Sequence, residues 1–172
     1  MILPPIPVAN YVQFLIGGAV AAKFEAYRPS GIDSGGETWF DGNGIYLCED
    51  AASWRQVWDT HIRNESIGNT TIRNLNPPPV VDFKKNVLVA LFAGPTPSVL
   101  GYQVASSFKL GNEAVVRLVP VISNSNTAKV AIPRPWVFLV LKRSNVTVTV
   151  QTPNGKGWTT VTKVKPEPPD TF

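Results

Sequence analysis

The run "NPPPVVDFKKNVLVALFAG", Asn76 to Gly94, passes from a proline-stiffened linker through an apolar strand to a glycine. Its central part, "VLVALF" (Val87 to Phe92), does not alternate between apolar and polar residues, and neither does "WVFLVLK" (Trp136 to Lys142). A strand with one wet face alternates with period two, whereas a strand without polar positions is covered on both sides. These two runs therefore belong to the middle of a sheet that needs an apolar cover on each face.

One cover is legible. In "EDAASWRQVWDTHI", Trp54, Val57, Trp58 and Ile62 follow helical spacing and form a single apolar stripe. Glu49 and Asp50 suit a helix N-terminus, and Ser53 with Gln56 has capping-box spacing one turn later. The spacing predicts a helix over about residues 50–62, its two tryptophans packed on the sheet.

The remaining strands alternate. "NVTVTVQ" points Val146, Val148 and Val150 inward, and "YQVASSFK" places Tyr102, Val104, Ser106 and Phe108 on one face. "FDGNG" reads as a hairpin turn between "ETWF" and "GIYLC", and the glycines beside Asp33 in "GIDSGG" mark another turn. The expected fold is mainly β, an α+β arrangement. It is an antiparallel sandwich or twisted sheet with one packed amphipathic helix. Residues 1–165 are expected to form a single β-rich domain, followed by a Pro-rich tail over 166–172.

Composition narrows the function classes. The chain has 172 residues, 44% hydrophobic and 16% charged, so it is globular rather than disordered. A net charge of +4 is spread over scattered Lys and Arg, not gathered into the basic stripe that a nucleic acid requires. "YVQFLIGGAVAAKF" (Tyr11 to Phe24) is too short to span a bilayer and lacks a basic leader. It reads as two buried strand segments broken at Gly17-Gly18, with a signal or lipid anchor, if any, removed upstream of Met1.

Catalytic motifs are not assembled. Gly94 is followed by "PTPSVLGYQ", in which Pro95 and Pro97 remove two backbone donors and no Lys-Ser/Thr pair follows a second glycine, so a phosphate loop is excluded. Cys48 is the sole cysteine and His61 the sole histidine, which leaves a Cys/His dyad as a bare option beside an inert thiol and a helix-end histidine. "G-x-S-x-G" is absent. Asp33, Glu37, Asp41, Glu49 and Asp50 lie close together in the chain and are the candidates for a hydrolytic carboxylate pair. No cofactor or metal site is expected. Trp39 and Trp158, both near turns, are the candidates for a binding surface, able to stack on a sugar.

Taken in order, "YLCEDAASWRQVW", "PPPVVDF", "VLVALFAG" and "GYQV" resemble the C-terminal domain of the PrcB family, named for a protease-complex subunit of a spirochaete outer sheath. The resemblance covers about residues 24–150 and rests on Trp54, Trp58, Pro78, Pro79, Asp82, Phe83, Gly94, Thr96, Gly101 and Tyr102. Here "PTPSVLGY" stands where the family commonly has a shorter "PTGGY". The resemblance implies a non-catalytic, exported module that supports a partner protein. The expected function is thus an accessory or structural protein of the bacterial cell envelope. It binds another envelope or surface protein, within a larger assembly, through an exposed sheet edge. A carbohydrate or cell-wall-binding β module is the alternative, and a hydrolase the third reading.

Overall fold

The computed structural model describes residues 25–38, 40, 42–61, 65–67, 70–72, 77–123 and 132–168. In chain order its elements are β1 (Glu25–Ala26), β2 (Gly31–Gly35), β3 (Asn43–Cys48), α1 (Ala51–His61), β4 (Glu65–Ile67), β5 (Thr70–Ile72) and β6 (Asn86–Ala93). They continue with β7 (Val99–Leu110), β8 (Glu113–Ile122), β9 (Trp136–Lys142), β10 (Thr147–Asn154) and β11 (Gly157–Val164). A four-stranded sheet runs β2-β9-β6-β3 and a five-stranded sheet runs β1-β7-β8-β10-β11, with β4 and β5 forming a separate hairpin.

The non-alternating runs occupy the middle of the four-stranded sheet, as their composition requires. Val87, Val89 and Leu91 of β6 and Val137, Leu139 and Leu141 of β9 meet Ala114, Val116, Leu118, Val148 and Val150 of the facing sheet. The other face of the same strands presents Leu88, Ala90, Phe92, Trp136 and Phe138 to Trp54, Val57 and Trp58 of α1. The molecule is therefore three layers deep: a five-stranded sheet, a four-stranded sheet and a helix. Each large aliphatic side chain so buried contributes roughly 1.5–3 kcal/mol of transfer free energy.

Local chemistry fixes the helix. Asp50 is its N-cap: the Ser53 N–H donates to Asp50 Oδ1 at 2.7 Å, and the Asp50 N–H lies 3.4 Å from the Ser53 hydroxyl. The box is Asp50 with Ser53, one turn earlier than Ser53 with Gln56, because the Asp50 carboxylate accepts from an open N–H group of the first turn. Trp54 Nε1 donates to the Pro79 carbonyl at 3.0 Å and so pins the proline linker to the helix. At Asp82 that linker turns: Asp82 Oδ1 accepts from the Lys84 N–H and its carbonyl accepts from Lys85 and Asn86 N–H groups. Arg143 ties three remote segments together, donating to the carbonyls of Phe83, Glu49 and Glu167 at 2.8, 2.9 and 2.9 Å. Pro166 is fully buried, and its carbonyl accepts from the Ser144 N–H.

Two local expectations are corrected, and a third lies partly outside the described residues. The hairpin expected at "FDGNG" includes Trp39 and Asp41, which are not described; β3 itself pairs with β6, Ile45 opposite Leu91. Asp33 lies on strand β2 opposite Phe138, and the neighbouring Gly35 serves packing rather than a turn: a Cβ there would come within 2.9 Å of the Trp136 ring. The expected sandwich is predominantly antiparallel, with one parallel pair: β9 is delivered to the other sheet and β10 returns beside β8. Finally, β7 carries a bulge between Val104 and Ser106. The extra residue, Ala105, leaves Tyr102 and Val104 against the core but turns Phe108 to the outer face, where the Arg117 guanidinium covers its ring. The strand pair expected over Tyr11 to Phe24 lies outside the described residues.

A second irregularity of β7, between Val99 and Tyr102, joins the sheets. Gly101 has φ +138, and a Cβ on it would sit 2.6 Å from Ser34 Oγ. That close approach lets Ser34 Oγ accept from the Tyr102 N–H at 2.9 Å and donate to the Tyr102 carbonyl at 2.8 Å. Gly101→Ala is therefore expected to cost about 2 kcal/mol or more, from backbone strain and loss of the Ser34 bridge. Urea unfolding of the variant beside Ser34→Ala, which removes the bridge without the strain and should cost less, checks it.

Candidate functional site

Each large sheet has two edges, and three of the four carry features that discourage a further strand. β1 is two residues long, with Glu25 facing Lys109 Nζ at 3.9 Å. β2 carries Asp33, and β11 carries Lys163 and a bulge at Val161. The fourth edge, β3, reads "NGIYLC": it has no charge, no proline and no register shift. Among the described residues no strand pairs with its outer side. Its side chains are unusually bare for their type, with Ile45 43%, Tyr46 39% and Leu47 44% exposed.

The register shows why. Ile45 and Leu47 lie opposite Leu91 and Val89, on the face turned toward the five-stranded sheet, yet that sheet does not close over them. The gap is a cleft of about 470 Å³ between the sheets, running from Ile45 and Leu91 on one side to Leu118, Thr152 and Val161 on the other, with Tyr102 also on its wall. No charged side chain lines it. On the opposite face Tyr46 packs edge-on to Phe40 and Phe92, with ring centroids 6.0 Å away in both cases.

Most residues singled out from the sequence sit elsewhere. Trp54 is buried and stacks edge-on to Phe138 at 4.9 Å, with Trp58 beside it at 5.5 Å. Asp82 and Phe83 form the turn before β6, Phe83 packing into the helix-side core. Gly94, at φ +70, ends β6 in a left-handed conformation. Only Tyr102 of this set reaches the cleft. Trp158 is 38% exposed, but the Arg117 guanidinium lies over its ring at 4.9 Å while Arg117 Nε donates to Gln151 at 3.1 Å. Trp39 and Asp41 lie outside the described residues. Ile45, Tyr46 and Leu47 were not identified from the sequence; the available signal was a strand-length apolar run with no charge.

The nucleophile and base candidates are tuned away from reactivity. Burial pushes the Cys48 thiol up to about 11, helped by the nearby Asp50 charge and opposed by a Ser53 hydrogen bond. His61 is buried in a box of Trp58, Phe92, Trp136 and Phe138 rings, and this desolvation, against a smaller opposing pull from Asp33, lowers its pKa to about 4. Its Nδ1 lies 2.9 Å from the Thr38 hydroxyl, which also approaches the His61 carbonyl at 3.2 Å. Of the carboxylates, Asp50 is spent as a helix cap, and Asp33 and Glu37 are exposed. Among the described residues no group of His, Cys, Asp or Glu is placed to hold a metal ion, and no helix is long and apolar enough to cross a membrane.

Comparison with protein-family models, with curated proteins and with solved structures yields no match.

The state of His61 makes stability depend on pH. Below 6.5 the unfolded chain takes a proton on His61 that the folded chain refuses until about pH 4. Stability is therefore full above pH 6.5 and falls as the pH drops toward 4, by an amount on the order of 2–3 kcal/mol. Denaturant unfolding at stepped pH should show this slope, and His61→Gln should flatten it.

Proposed function

We propose that this protein is a non-catalytic accessory protein of the bacterial cell envelope that binds and stabilises a partner surface protein or protease complex, and that β3 is the strand it offers. The observation that carries the reading is the contrast among edges: three are protected by charge, shortness or a bulge, and β3 is bare. An uncharged edge flanked by exposed Ile45, Tyr46 and Leu47 is an aggregation hazard unless something covers it. Strand addition covers such an edge, main-chain hydrogen bonds supplying affinity and alternate side chains supplying specificity.

The envelope setting and the accessory role come from the resemblance to the PrcB domain. The residues that carry it, Trp54, Trp58, Asp82, Phe83, Gly94 and Gly101, build the helix-sheet contact, a turn and two glycine-dependent bends, so they support the platform on which β3 is displayed. The buried Cys48 and His61, held as a thiol and a neutral imidazole at pH 7, give no reason to add a reaction.

Crosslinked pull-down from native envelopes, read by mass spectrometry, tests the reading when the wild-type chain is compared with Leu47→Lys. Leu47 is 44% exposed, so the variant should unfold at the wild-type denaturant midpoint, within about 0.5 kcal/mol, yet lose the surface protein captured by the wild type. Equal capture by both would remove β3 from the reading. Recovery of cytosolic enzymes alone would remove the envelope, and a soluble glycan that quenches tryptophan fluorescence would favour the sugar-binding alternative at Trp158.

A further inference from the structure

Resting on the reading of β3 as the docking edge, we infer that its occupant is a neutral, extended segment of the partner with apolar side chains at alternate positions, one of which fills the cleft between the sheets. The backbone decides the class of molecule. β3 uses one side of its ladder on β6, which leaves, among the described residues, a row of alternating N–H and C=O groups along the other side of its six residues. A peptide strand satisfies such a row. An acyl chain or flat aromatic molecule laid there would dry these groups without pairing them, and an unsatisfied buried polar group opposes binding.

Register then decides the side chains. A strand added beside β3 continues the four-stranded sheet, so every second side chain falls on the face shared by Ile45 and Leu47 and the rest fall beside Tyr46. The first set stands over the cleft, whose about 470 Å³ has Leu118, Val161 and Thr152 as its far wall and accepts a large apolar side chain. Because none of the lining residues is charged, an ionised side chain in the same place would lose its water without a partner. Charge matching therefore selects an occupant that is neutral along the cleft face. The second set lies at the rim of the Phe40, Tyr46 and Phe92 rings, where polar side chains keep access to water.

The probe is a capped, neutral peptide, Gln-Thr-Val-Thr-Phe-Thr-Val-Thr-Gln, titrated into the full chain by fluorescence anisotropy, with hydrogen exchange reporting on β3. Saturable binding that protects the amides of Asn43 to Cys48 is expected. It should weaken by about tenfold or more with Ile45→Lys, with the cleft-filling Val161→Trp, with the apolar residues grouped in one block, or with N-methylation of alternate peptide amides. Near-ultraviolet circular dichroism establishes that both variants are folded, and the block-ordered and N-methylated peptides test the proposal on the unaltered protein. Absent binding, or equal binding of the N-methylated or block-ordered peptide, overturns it. So does saturable binding of decanoate in the cleft where the peptide fails, or self-association of the chain that protects the same amides without peptide. If the peptide fails while envelope capture still depends on Leu47, this inference falls and the docking edge stands; if capture is also indifferent to Leu47→Lys, both fall.

Discussion

The whole structure depends on one sheet being dry on both faces. β6 and β9 send Val87, Val89, Leu91, Val137, Leu139 and Leu141 into the sandwich and Leu88, Ala90, Phe92, Trp136 and Phe138 toward the helix. Neither cover can be dispensed with, since removing either exposes a continuous apolar face on strands that have no polar alternative. Burial also leaves their backbone groups no water to fall back on, so the ladder must be complete, and it is: β6 and β9 are paired on both sides, by β3, β9 and β2. The cost of this arrangement passes outward to the strands at the sheet's margins, which must supply hydrogen bonds inward while facing solvent outward.

This dependence explains why the fold was legible and the bare edge at β3 was not. The missing alternation in "VLVALF" and "WVFLVLK" announces two-sided burial, and the Trp54/Trp58 stripe announces the cover, because both signals are local and strong. Pairing order is a different kind of fact. Nothing within "GIYLC" says that it pairs with β6, forty or more positions along the chain. The bulge at Ala105 is equally hidden: "YQVASSFK" has a regular period, and only the ladder with β8 shows that Phe108 has changed face. Asp33 reads as a turn residue because its glycines are usual turn formers, whereas the packed Trp136 ring is what demands Gly35.

The aromatic layer under the helix follows the same logic and accounts for the chain's sole histidine. His61 ends α1 where a cation would suit the helix dipole, but the rings of Trp58, Phe92, Trp136 and Phe138 remove the water a cation needs. Desolvation is the larger effect, so the ring stays neutral and anchors Thr38, whose hydroxyl in turn accepts from the Phe40 N–H at 3.2 Å. Thr38 is thereby tied to the helix end, and the Asp50 cap and the Arg143 hydrogen bond to the Glu49 carbonyl fix the residues just past the end of β3.

β3 is ordered by its pairing with β6 and by the Arg143 hydrogen bond to the Glu49 carbonyl just past its end. In the proposed docking this lowers the ordering cost that association would otherwise carry. In that proposal the cleft would add selectivity that main-chain pairing alone lacks: any strand can match the N–H and C=O groups of β3, but only one with an apolar side chain in phase fills the space between Ile45 and Val161. The protected edges at β1, β2 and β11 complete the device by making β3 the only outer strand of the two large sheets that, among the described residues, lacks charge, shortness or a bulge to turn a partner away.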